Sequence, residues 1–176
     1  MTLFLLPIGA RRAVVGMTLV ETMVCLLIVG VLASLAGPAF RDILLRQRIA
    51  TVRSDLTTAM QWARWEALRR NAPVVLQRRS DCAALLRTPN DWDCGWDVVS
   101  AASGEAQTLQ TFVPPSGVRL THAGGGSILE FGRNGMPTLV AHKFIIGHTA
   151  EAASSTTVLC INRTGRVRTA VGTTTC

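Results

Sequence analysis

Residues 17–40 read MTLVETMVCLLIVGVLASLAGPAF, with Glu21 as the single charge. Within this run, 22–40 is long enough to span or nearly span a bilayer, which takes about 20 predominantly apolar residues in a helix. A core helix of a soluble domain is usually bounded at about 10 to 14 apolar residues and keeps a polar face. Residues 23–29, MVCLLIV, keep none. The segment 17–40 is therefore expected to be a membrane-inserted helix.

Downstream the pattern changes character. Ile49, Val52, Leu56, Ala59, Met60, Ala63 and Ala67 recur at steps of three and four, while Arg46, Arg48, Arg53, Arg64 and Arg69 fall mainly on other faces. That spacing predicts an amphipathic extension over 41–72, so that one helix from about 18 to 71 begins in lipid and ends against a globular core. Asn71 and Pro73 end it. From Pro73 onward, β-branched runs predict strands at 74–77, 96–99, 108–113, 118–122, 128–131, 139–146, 156–161 and 166–171. Turn-prone clusters separate them, among them Pro114-Pro115-Ser116-Gly117, Asn134-Gly135 and Thr164-Gly165. The expected fold class is α+β: a long N-terminal helix packed on an antiparallel β-sheet domain at 73–176.

Composition excludes several classes. The 176 residues carry net charge +7, yet 48% are hydrophobic and only 16% charged, which argues against disorder. The positive charge rests on 17 arginines and one lysine, and arginine is the residue of planar, bidentate contact with phosphate or carboxylate. Of five cysteines, Cys25 lies in the apolar run. The other four allow three pairings, but each has one near neighbour in sequence, favouring Cys82–Cys94 and Cys160–Cys176 and hence an oxidising compartment. His122, His142 and His148 are not spaced as metal ligands, and no nucleophile motif or phosphate loop occurs. The reading is of a non-enzyme without metal or cofactor.

Before the apolar run stand Arg11 and Arg12, and Gly16-Met17-Thr18-Leu19-Val20-Glu21 follows them. This segment resembles the type IV prepilin signature, a Gly before the cleavage site and a hydrophobic helix with Glu at its fifth position. The resemblance implies a leader peptide at 1–16, cleavage after Gly16 by prepilin peptidase, and methylation of the new amino terminus, Met17. The family usually has Phe there and a shorter leader. Glu21 carries a physical expectation of its own: a carboxylate in an apolar helix costs roughly 2.5 to 3.5 kcal/mol on insertion scales. It needs a partner, which the amino terminus of a neighbouring Met17 supplies in a helical filament of major and minor pilins. Lodged at the headgroup interface it would need none. Arginines flank the helix on both sides, so orientation follows the disulfides: inner membrane first, head in the periplasm, then a pilus or pseudopilus at the cell surface.

Among prepilins the chain is most similar to minor pilins of the FimT and GspH type. Cys94-Gly95-Trp96-Asp97-Val98 resembles that group's Gly-Trp strand, and Phe131-Gly132-Arg133-Asn134-Gly135 its Phe-x-x-x-Gly turn. Residues 160–176 resemble the Gly-Arg-x-Arg tail of FimT-type pilins, which implies binding of double-stranded DNA for uptake in natural transformation. Elementary chemistry agrees, since no acid follows Glu151 while Arg163, Arg166 and Arg168 lie close together. In a strand Arg166 and Arg168 share a face at a spacing near 7 Å, similar to the phosphate repeat along one DNA strand. Gly165 supplies a turn bringing Arg163 back beside them. A Cys160–Cys176 disulfide closes the loop, worth roughly 3 kcal/mol in the chain-entropy model. Alternating arginines also suit the solvated face of an edge strand, where charge blocks aggregation. A structural minor pilin, or a type II secretion pseudopilin without DNA binding, is the alternative function.

Overall fold

The computed structural model describes residues 16–82, 88–100, 106–138, 141–148 and 156–176, with the side chains of 35–39 outside that description. Thr18 opens the first element because its hydroxyl accepts the Glu21 amide at 3.2 Å, as the N-cap of a Thr-x-x-Glu pattern does. Helix α1 then runs over Leu19–Arg70. It stops because Asn71 adopts a φ of 49° and the Ala72 amide turns back onto the Ala67 carbonyl at 3.3 Å. This is a left-handed C-terminal cap, and Pro73 has no amide with which to continue the helix.

The chain divides into two compact units, Met1–Arg41 and Asp42–Cys176. In the first, the described helical side chains are exposed and mostly apolar, including Leu19 at 74% and Leu26 at 72% exposure. Among the described residues no helix is long and apolar enough to cross a membrane. The helix expected over 17–40 forms from Leu19 onward as the first part of α1. Most of the expected leader, 1–15, lies outside the described residues.

The second unit is built from the other half of the helix and eight strands. They are β1 (Val74–Arg78), β2 (Trp96–Ser100), β3 (Gln107–Phe112), β4 (Val118–Ala123), β5 (Ile128–Phe131), β6 (His142–His148), β7 (Thr157–Ile161) and β8 (Val167–Val171). Each expected strand forms, although 139–140, expected to open the sixth, lie outside the described residues. The strands make two antiparallel four-stranded sheets, ordered β3-β2-β1-β5 and β4-β6-β7-β8. Ile49, Val52, Leu56, Ala59, Met60, Ala63 and Ala67 are all buried, and they join the inner faces of both sheets in one core. Val74, Leu76, Trp96, Leu129 and Phe131 come from the first sheet; Leu120, Phe144, Ile146, Leu159 and Ile161 come from the second. The predicted helical stripe is thus what holds the two sheets together.

Candidate nucleic-acid interface

The turn before β8 is fixed by its own sequence. Asn162 Oδ1 accepts from the Thr164 amide (3.1 Å), the Thr164 hydroxyl (2.8 Å) and the Arg166 amide (2.9 Å). The Asn162 amide in turn donates to the Arg166 carbonyl at 3.2 Å. Gly165 sits inside this turn at a φ of +76°, which L side chains rarely adopt. Arg64 reaches over from α1, donating from Nη1 to the Thr164 carbonyl at 3.1 Å. A loop so closed holds its flanking side chains without help from a ligand.

Beyond the turn the chain enters β8, an edge strand whose inner side chain Val167 packs against the core. Arg166 and Arg168 point the opposite way and are exposed, as is Arg163 in the turn. None of the three has an ion-pair partner among the described residues. Both expected disulfides form, with Cα–Cα distances of 5.5 Å for Cys82–Cys94 and 5.8 Å for Cys160–Cys176. Cys160 pairs across the sheet with Arg168 on one side and Lys143 on the other. The disulfide therefore ties the C-terminus down between two cations, and Lys143 Nζ donates to the Thr174 carbonyl at 3.2 Å. A cleft of about 960 Å³ opens there, lined by Lys143, Asn162, Arg166, Arg168, Thr175 and the disulfide, with no acidic side chain in its wall. Arg166 also borders a second cleft of about 320 Å³ against Met60, Gln61 and Arg64 of α1.

Elsewhere many of the arginines are occupied. Arg69 and Arg70 both grip Glu66, whose carboxyl is buried. The Arg69 hydrogen bond, aided by Arg70, holds that carboxyl below its ordinary pKa in spite of desolvation. Arg79 pairs with Asp81, Arg78 donates to the carbonyls of Thr88 and Asp91, and Arg48 to that of Ser116. Arg119 lies 4.0 Å from Asp93. Of the helix arginines Arg69 and Arg70 thus pair with Glu66, and of the two that follow only Arg79 pairs with Asp81. Arg41, Arg46, Arg53 and Arg133 likewise have no ion-pair partner among the described residues, but only at the C-terminal loop do three such cations fall within six residues, a local concentration that suits an anion-binding surface.

A second polar cluster is buried inside the head. His122 Nε2 lies 2.9 Å from His142 Nδ1, and His122 Nδ1 lies 3.1 Å from the Gly126 carbonyl. Phe144 stacks on the His122 ring at 4.1 Å and Trp92 meets it edge-on at 5.2 Å. Burial, with the neighbouring His142 second, pushes the His122 pKa down to about 4. Burial likewise lowers that of His142. The spacing of 20 residues between them hid this pair from the sequence.

The fold thus brings Arg166 and Arg168 to one cleft, with Gly165 setting the turn, while Arg163 stands at the turn and lines neither cleft. Gly16 and Met17 are exposed ahead of the helix and Glu21 is exposed in its first turn. Two contributors were not anticipated. Asn162 organises the turn, which an Asn two residues before Thr164-Gly165 signals locally. Lys143 has no local signal; only the strand order reveals it.

Residues 53–173 match the family model for type II transport protein GspH. The fold is similar to the crystal structure of the type IV minor pilin FimU of Pseudomonas aeruginosa, with a TM-score of 0.58 and 21% identity, over 72% of this chain and 91% of that one. It is also similar to the minor pseudopilin EpsH of the type II secretion system of Vibrio cholerae, with a TM-score of 0.55 and 10% identity, over 73% of this chain and 99% of that one. No curated protein is significantly similar in sequence. Helix, paired sheets and the match over 53–173 converge: the chain belongs to the GspH family of minor pilins and pseudopilins, structural proteins rather than enzymes.

Proposed function

We propose that this chain is a minor type IV pilin that binds extracellular double-stranded DNA without sequence preference, for uptake in natural transformation. Arg166 and Arg168 carry the contact, with Arg163 at its margin and Gly165 shaping the loop. The observation behind this reading is that these three arginines are exposed and free of carboxylate partners among the described residues, on a loop closed by the Cys160–Cys176 bridge. Phosphate contacts alone carry no base information, which suits capture of arbitrary DNA. In the same reading 1–16 is a leader removed after Gly16 by prepilin peptidase, and Met17 becomes the methylated amino terminus. The helix at 17–40 rests in the inner membrane with the head in the periplasm, where the two disulfides can form. Glu21 then pairs with a neighbour's Met17 as the subunit enters a filament.

The test is a gel-shift titration of the full chain, held in nonionic detergent, against duplex DNA at several salt concentrations. The log-log slope should be about −0.9 per phosphate neutralised. The double variant R166Q/R168Q should flatten the slope by about 1.8, which is about a 30-fold loss of affinity at 0.15 M salt. Equal binding by the double variant and the unaltered chain would overturn the DNA reading. The family match and the likeness to EpsH favour a second reading, a pseudopilin of a type II secretion machine. That reading expects no DNA binding, and loss of assembly when Glu21 is replaced.

A further inference from the structure

The registers β6–β7 and β7–β8 set Lys143 opposite Cys160 and Cys160 opposite Arg168. Directly opposed residues share a face, so Lys143, the Cys160–Cys176 bridge and Arg168 form one row across the outer side of the sheet. Two inter-strand steps separate the ends of that row by about 10 Å. Arg166 and Arg168 are aligned along the perpendicular direction, about 7 Å apart. The three cations therefore form an L around the disulfide. Lys143 uses one ammonium hydrogen on the Thr174 carbonyl, and an ammonium group has three. It has no ion-pair partner among the described residues and lines the same cleft as Arg166 and Arg168.

The shape of this L selects its ligand. One DNA strand presents phosphates in a gently curved line, and Arg166 and Arg168 follow such a line. A cation displaced sideways by about 10 Å meets the opposite strand, because the minor groove is about 6 Å wide between the phosphate walls that bound it. We propose that Lys143 contacts the second strand across the minor groove, and that the loop thereby distinguishes duplex from single-stranded DNA. This inference rests on the DNA reading above and adds a residue and a selectivity to it.

The experiment compares a duplex with one of its isolated strands, using the full chain in nonionic detergent and its K143Q and K143R variants. K143Q should lose about fivefold in duplex affinity at 0.15 M salt, with the salt slope flatter by about 0.9. Binding of the single strand should change less than twofold, and K143R should keep the duplex preference. Equal losses on both DNAs, or no loss on the duplex, would overturn the inference. So would a K143R variant that falls as far as K143Q, since the role would then be the bond to Thr174 and not the charge. If the unaltered chain binds neither DNA, the DNA reading itself fails; if it binds and only the Lys143 results go wrong, that reading stands and this inference does not.

Discussion

Acidification from pH 7.5 to 5 should weaken the head through His122, and the structure dictates both the sign and the size. The Gly126 carbonyl can only accept, so His122 Nδ1 carries the hydrogen there and its Nε2 is an acceptor. His142 Nδ1 must then donate to it, which leaves His142 Nε2 as a buried atom without a hydrogen-bond partner. A proton added to this chain has nowhere solvated to reside. Unfolded, His122 takes a proton near its ordinary value of 6.5; folded, it resists until about 4. Between those values the unfolded state binds more protons, so stability is fully present above pH 6.5 and is lost as pH falls. For this group alone the loss reaches about 2 kcal/mol at pH 5 and about 3 kcal/mol once pH is below 4. Burial of His142 acts in the same direction. Glu66 and Asp81, whose carboxyls are held low by arginines, add their losses only below their unfolded values near 4.5 and 3.8, so the upper part of the window belongs to the histidines. Urea unfolding of 42–176, which contains the whole core and both disulfides, would be followed by tryptophan fluorescence, to which Trp92 beside His122 contributes. The variant H122F should start about 1–3 kcal/mol less stable at pH 7.5, having left buried partners unsatisfied, and should lose most of the pH slope. A flat profile for the unaltered head between pH 7.5 and 5, or an undiminished slope in H122F, would refute this account.

Two further outcomes follow from the same packing. The variant C160S/C176S should lower unfolding stability by about 3 kcal/mol for a closed loop of sequence separation 16. It should weaken DNA binding while leaving the salt slope unchanged, because the charges remain and only their placement loosens; a matched titration with the unaltered chain checks this. At Gly125 a Cβ would lie 1.9 Å from the His122 ring. That ring is clamped by Phe144 and Trp92, so G125A should cost on the order of 1–3 kcal/mol, seen as a lower melting temperature at pH 7.5. Unchanged melting would mean that the pair is less tightly held than its geometry implies.

Local chemistry explains what was legible beforehand. The helix could be read because Ile49, Val52, Leu56, Met60, Ala63 and Ala67 recur at helical spacing, and its end because Asn71 tolerates a left-handed backbone before Pro73. The strands could be read because β-branched residues crowd between turn formers. None of these signals says which strand lies beside which. The antiparallel β-domain on a helix was legible, but its division into two sheets was not, since a hydrophobic inner face reads alike whichever sheet it joins. The site shows the same division. Arg163, Arg166 and Arg168 are close in sequence and could be named in advance. Lys143 enters their surface only because β7 separates β6 from β8, and His122 meets His142 only because β4 pairs with β6. The place of Lys143 and the histidine pair are both products of strand order. A registry error in the second sheet would separate the two histidines and break the L of cations at once. Acid sensitivity and duplex preference are therefore expected to fail together in variants that disturb β6, and separately in H122F and K143Q. That pattern distinguishes a surface assembled by the sheet from a basic tail that merely carries charge.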